Sequence, residues 1–211
     1  MVAIIDYDAG NLKSVEKAIQ RLGEEAVITS SFQTILHADR IILPGVGSFG
    51  TAMEQIKRLE LDKVIREAAA RDIPFLGICL GLQLLFEGSE ESRGVEGLGL
   101  LKGRIVRLPK AEGLKIPHIG WNSLSLQNHG RLFEGVPDNS YVYFVHSYYL
   151  QADDIRIVKA VTDYGVQVHA SAEQGNVFAC QFHPEKSSTV GFKILENFLH
   201  VEKSLEQQIN R

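Results

Sequence analysis

The chain is poor in several residues that decide fold class: two cysteines, one tryptophan, two methionines and six prolines in 211 residues. Two cysteines cannot build a disulfide framework, and neither Cys79 nor Cys180 belongs to a metal-type pair, so no disulfide-stapled module and no zinc or other metal site is expected. A basic excess is also missing: 22 Lys and Arg stand against 26 Asp and Glu, for a net charge of -4. That removes any general electrostatic pull toward nucleic acid or anionic lipid. The longest apolar stretch, residues 73–86, is interrupted by Pro74, Gly77, Gly81 and Gln83 and is too short for a membrane span. Val2-Ala3-Ile4-Ile5 meets Asp6 at once, unlike a secretory leader with a basic flank. There is no internal repeat, low-complexity tract or linker. The expectation is a cytoplasmic protein with both thiols reduced.

What is present suits a packed core. Hydrophobic residues make up 45% and charged residues 23%, and the length fits one domain over residues 1–211. The first half alternates short apolar runs with helical spacing. Residues 2–6, 26–30, 40–43 and 74–78 read as strands, and 11–22 and 62–71 as helices with apolar residues three and four apart. This β-α rhythm implies a parallel sheet covered on both faces. Residues 88–99 read as a polar, glycine-rich loop. Strand-like segments follow at 104–108, 141–150, 157–162, 167–172 and 177–182, and an amphipathic helix at 189–207 closes the chain. The predicted fold is a single α/β domain whose central sheet is mixed but largely parallel, flanked by helices.

Gly77-Ile78-Cys79-Leu80-Gly81 follows a buried strand and opens an apolar helix, the strand–turn–helix setting of a nucleophile elbow with cysteine in place of serine. At a helix N-terminus the unsatisfied N–H groups and the dipole favour a thiolate, and the Leu80 N–H is placed to meet an oxyanion. On this motif alone, a core cysteine packed between strand and helix is an equal reading. The run from Val177 to Glu185 shifts the balance. Alternation puts Phe178, Cys180 and Phe182 on one face and Gln181, His183 and Glu185 on the other. Pro184 keeps His183 out of the helical region, so the extended spacing is expected to persist to Glu185. A histidine and a carboxylate that share a face form the base-and-orienter half of a triad. Cys180, facing the phenylalanines, reads as an inert core thiol. His37, His129, His169 and His200 show no ligand spacing, and most read as solvent-facing.

Gly45-Val46-Gly47-Ser48-Phe49-Gly50 matches G-x-G-x-x-G and raises a reading from another class, a nucleotide-binding module using Gly45, Gly47 and Gly50. That fingerprint requires an acidic residue at the end of the next strand, where this sequence has Cys79. A backbone strip at Pro44-Gly45-Val46-Gly47, supplying an N–H to an oxyanion, is the better use of the segment.

Taken together, Gly77–Gly81, Pro44–Gly47 and His183-Pro184-Glu185-Lys186 resemble the triad (class I) glutamine amidotransferases over essentially the whole chain. Gly10-Asn11, Pro117-His118-Ile119-Gly120-Trp121-Asn122 and Tyr143-Phe144-Val145-His146-Ser147-Tyr148 are more particular. They resemble the glutaminases that feed a cyclase in histidine biosynthesis, where PRFAR becomes imidazole glycerol phosphate and AICAR. The resemblance implies a Cys79–His183–Glu185 triad and an oxyanion hole from the backbone of Val46 and Leu80. It implies that Gly47, Gln83, Glu91, Ser147 and Tyr148 hold glutamine, with Glu91 on its ammonium. It also implies that Asn11, Trp121, Tyr143 and Lys186 face a (β/α)₈ cyclase in a heterodimer, and that no cofactor is used. Glutaminase subunits of anthranilate or pyridoxal phosphate synthesis share the triad and remain the alternative within this chemistry.

Overall fold

The computed structural model describes residues 1–110 and 113–202. Its centre is a ten-stranded sheet in which β2 (Ala26–Thr29), β1 (Val2–Ile5), β3 (Arg40–Gly45), β4 (Phe75–Cys79) and β12 (Val177–Cys180) lie side by side and parallel. The sheet continues antiparallel through β11 (Gln167–Gln174), β10 (Val158–Asp163) and β7 (Ser125–Leu126). Strand β9 (Tyr148–Ala152) joins β11 and carries β5 (Gly103–Arg107) outward. The mixed, largely parallel architecture is thus the one the sequence predicts.

Successive side chains of a strand point to opposite faces, and here both faces are dry. On β1, Ala3 and Ile5 enter one core, Val2 and Ile4 the other. The first core is roofed by α2 (Phe32–His37), α3 (Phe49–Arg58), α4 (Leu61–Ala70) and α5 (Leu80–Leu84). The second is roofed by α1 (Leu12–Arg21) and α6 (Ser188–Leu199). No helix among the described residues is long and apolar enough to cross a membrane.

Several elements differ from expectation. Helices α2 and α3 are additional: α2 is only one and a half turns long, and α3 begins inside the glycine-rich segment. The predicted 141–150 strand breaks at Ser147 into β8 (Tyr141–His146) and β9. Strand β8 leaves the main sheet and pairs with β6 (His118–Ser123), unpredicted because Gly120 and Asn122 interrupt any apolar alternation. The polar loop contains a 3₁₀ turn at Glu90–Ser92. The closing helix ends at Leu199, and the part predicted beyond residue 202, Leu205 included, lies outside the described residues.

Candidate active site

Parallel register fixes the site before any side chain is considered. Gly45 pairs with Cys79 across β3 and β4, and Cys180 pairs with Ile78 across β12 and β4. The strands therefore release Val46, Cys79 and the segment leading to His183 at one edge, the carboxyl ends of the parallel strands.

Cys79 stands at the β4–α5 turn with φ 56° and ψ −112°, a conformation a non-glycine residue adopts at a cost of order 1–3 kcal/mol. The flanking glycines make this turn possible. A Cβ on Gly77 would lie 2.7 Å from the Gly81 carbonyl oxygen, and one on Gly81 only 1.7 Å from the Leu43 carbonyl oxygen. Backbone cannot retreat as a flexible side chain can. Gly81→Ala is therefore expected to lose about 3 kcal/mol or more of stability, read as a fall in the denaturation midpoint. An unchanged midpoint would mean that helix and strand can separate at no cost.

His183 Nδ1 lies 2.8 Å from Glu185 Oε1, and the two side chains are 1% and 0% exposed. The route differs from the expected one. His183 is extended, as Pro184 requires, but Pro184–Lys186 is a 3₁₀ turn, so Glu185 curls back to the ring instead of following along the same face. The other ring nitrogen, Nε2, is buried without a hydrogen-bond partner, and His183 and Cys79 line the same cavity. Burial works against a charged imidazole here, but the adjoining Cys79 sulfur and Glu185 carboxylate outweigh it and raise the His183 pKa to about 9. The Cys79 thiol donates to the Val145 carbonyl at 3.8 Å. Cys180, by contrast, is fully buried and burial pushes its pKa up to about 12, which makes it unreactive.

The cavity beside Cys79 holds about 250 Å³. Val46, Gly47, Leu80, Gln83, Glu91, Ser147 and Tyr148 all line it, so every residue expected to hold glutamine or its oxyanion is brought to one place. Glu91 Oε2 accepts from the Phe49 N–H at 2.7 Å, at the N-terminus of α3. A carboxylate thus already occupies the position where a dinucleotide's pyrophosphate would sit, and this disfavours the nucleotide-binding reading. Among the described residues no His, Cys, Asp and Glu group could hold a metal ion.

The residues expected at a partner surface divide. Trp121, 53% exposed, and Tyr143 face each other across β6 and β8 with ring centroids 6.0 Å apart, and Lys186 is exposed. Asn11, half-buried, donates through Nδ2 to Glu185 Oε1 at 2.7 Å and is a second holder of the carboxylate. Other contacts leave little trace in the sequence. Tyr7 donates to the Pro44 carbonyl at 3.0 Å and anchors the glycine strip, and Gln181 Nε2 reaches Cys79 Sγ at 3.9 Å. The alternation that placed Gln181 beside His183 was the one signal for the latter. His37, His129 and His200 are exposed, and His169 is half-buried.

Residues 3–201 match the family described as glutamine amidotransferase class-I. The chain belongs to the class I glutamine amidotransferases. Imidazole glycerol phosphate synthase subunit HisH of Methanocaldococcus jannaschii is 48% identical over 201 residues, spanning 95% of this chain and 100% of that one. The HisH subunit of Bacillus cereus is 50% identical over 198 residues, spanning 94% and 93%. The chain therefore falls among the HisH subunits, glutaminases of histidine biosynthesis. The fold is shared more widely. PurLQS from Thermotoga maritima, 22% identical, superposes with a TM-score of 0.73 over 94% of this chain and 96% of that one. A solved glutamine amidotransferase, 21% identical, gives the same score over 94% and 97%.

Proposed function

We propose that Cys79, His183 and Glu185 hydrolyse glutamine and that the ammonia passes to a (β/α)₈ cyclase subunit. The observation that carries the reading is His183 itself: one ring nitrogen is fixed by Glu185, and the other is left unpartnered in the cavity that Cys79 lines. The Cys79 thiolate attacks the side-chain amide carbon. His183 gives its proton to the departing ammonia, and the acyl group stays on sulfur as a thioester. His183, now neutral, takes a proton from water as it attacks, glutamate leaves, and the thiolate and imidazolium return. The N–H groups of Leu80 and Val46 hold the oxyanion in both halves. Gly47, Gln83, Ser147 and Tyr148 shape the pocket, and Glu91 receives the α-ammonium.

The exposed face of β6 and β8 supports a partner there. Ile119, Trp121 and Tyr141 are each more than half exposed on these two strands, Lys186 is exposed as well, and Val145 and His146 at the end of β8 line the cavity. A cyclase seated on that face receives ammonia before it is protonated in bulk water. A cytoplasmic location fits a thiol that must stay reduced. The test is reconstitution: a (β/α)₈ cyclase should co-purify and raise glutamine turnover. Val46→Pro deletes one oxyanion donor, and that stimulated rate should then fall about 10²-fold with ammonia-dependent synthesis retained. Equal turnover with and without the cyclase would overturn the proposed dependence on the partner.

A further inference from the structure

Two buried histidines take no part in the chemistry just described. His118 opens β6 and His146 closes β8, and the antiparallel register sets them opposite one another. His118 Nδ1 lies 3.0 Å from His146 Nε2, and His146 Nδ1 lies 2.9 Å from the Tyr148 carbonyl oxygen. That carbonyl also accepts from Gln83 Nε2 at 3.1 Å, and Gln83 Nε2 donates again to Gln181 Oε1 at 3.1 Å. The ring of His118 is clasped between Phe144 and Tyr164, with centroids at 4.8 and 3.8 Å.

The direction of each hydrogen bond follows from elementary chemistry. A carbonyl oxygen only accepts, so His146 carries its hydrogen on Nδ1. Burial lowers the pKa of His118 to about 4, and burial together with His118 lowers that of His146 to about 3, so both rings are neutral near pH 7. His146 Nε2 is then a lone pair, and His118 Nδ1 must be its donor. Both imidazoles are held as Nδ1–H tautomers, each selected by the acceptor in front of it.

We propose that His146, oriented by His118, is a positioning residue that fixes the Ser147–Tyr148 strip for glutamine binding. Ser147 is the break between β8 and β9, where the strand ladders are interrupted. Its carbonyl accepts from the Leu108 N–H at 2.9 Å, while the Tyr148 carbonyl is held by His146 and Gln83. With both carbonyls tied and the peptide units planar, the strip has one orientation to offer a ligand. Removing the His146 donor leaves the Tyr148 carbonyl on Gln83 alone and lets the strip turn. The hydrogen bonds of His146 run to His118 and to the Tyr148 carbonyl, not to Cys79 or His183, so the loss falls chiefly on binding.

This inference rests on the cavity beside Cys79 being the glutamine site, and the experiments separate the two ideas. In the complex with the partner subunit, His146→Leu should raise the KM for glutamine about tenfold with kcat within about twofold. His146→Asn places an amide nitrogen where Nδ1 stood and should return KM to within about threefold of wild type. Nitrogen-15 NMR of the unmodified protein should show both rings protonated on Nδ1, a reading that does not depend on any variant folding. An unchanged KM in His146→Leu, an Asn variant as impaired as the Leu variant, or Nε2–H rings would each overturn the role given to His146. Glutamine should also protect wild-type Cys79 from alkylation. Failure of that protection would defeat the cavity assignment itself, whereas protection with an unchanged KM defeats only the positioning role.

Discussion

Replacing Cys79 with alanine lowers glutamine hydrolysis by about 10⁴-fold or more while the fold is kept, because no second nucleophile can stand in for the sulfur. The one other thiol, Cys180, is fully buried with its pKa pushed to about 12, and lies on the strand beside Cys79 facing the hydrophobic core. Cys180→Ala is therefore the matched control. It should keep full glutaminase activity and lose about 1–2 kcal/mol of stability to a small cavity. In the reconstituted complex, Cys79→Ala should still make product from added ammonia, since the acceptor chemistry is assigned to the other chain. Loss of both activities in a folded complex would refute that division. A Cys79→Ala enzyme that keeps a tenth of its activity would show that the nucleophile lies elsewhere.

Removing the Glu185 side chain should cost about 10³-fold in kcat, because that one carboxylate fixes the base. Glu185 Oε1 accepts both from His183 Nδ1 at 2.8 Å and from Asn11 Nδ2 at 2.7 Å. In Glu185→Ala the Nδ1–H is left buried and unpaired, and the ring is free to turn or to change tautomer. Burial opposes a proton on His183, and Cys79 and Glu185 together raise its pKa to about 9. Without Glu185 the opposing effect gains, so the imidazolium is lost at lower pH and the basic limb of the pH–rate profile moves down. Glu185→Gln separates the two contributions. It keeps an oxygen for His183 and Asn11 but lacks the charge, so it should fall between wild type and alanine. An alanine variant with an unmoved basic limb would show that Glu185 does not tune the base.

The parallel half of the sheet is legible in the sequence because β1, β3 and β4 are short runs buried on both faces, flanked by helices with clear apolar spacing. Helix α2 leaves no clear signal because its six residues make fewer than two turns, and α3 because Gly50 and Thr51 mask its first turn. The residues of the proposed triad are legible from local pattern, yet their geometry is not: the turn that folds Glu185 back is set by hydrogen bonds from the Lys186 and Ser187 N–H groups to the carbonyls of His183 and Pro184. Asn11 to Glu185 spans 174 residues of chain, and His118 to His146 spans 28. Neither pair has any periodic trace, because strand register and tertiary packing, not local spacing, bring them together.

The strand order also sets a timetable for the ribosome. Strand β12 inserts beside β4, and Gln181, just ahead of His183, lies 102 residues after Cys79. At about 5–20 residues per second, Cys79 is translated roughly 5–20 s before His183. Through that interval β4 is held by β3 alone and keeps one open edge. Over the same interval the proposed triad is incomplete. A stall between the two strands would release a polypeptide bearing an unsupported thiol and a bare sheet edge, the species most open to oxidation and to pairing with another unfinished copy.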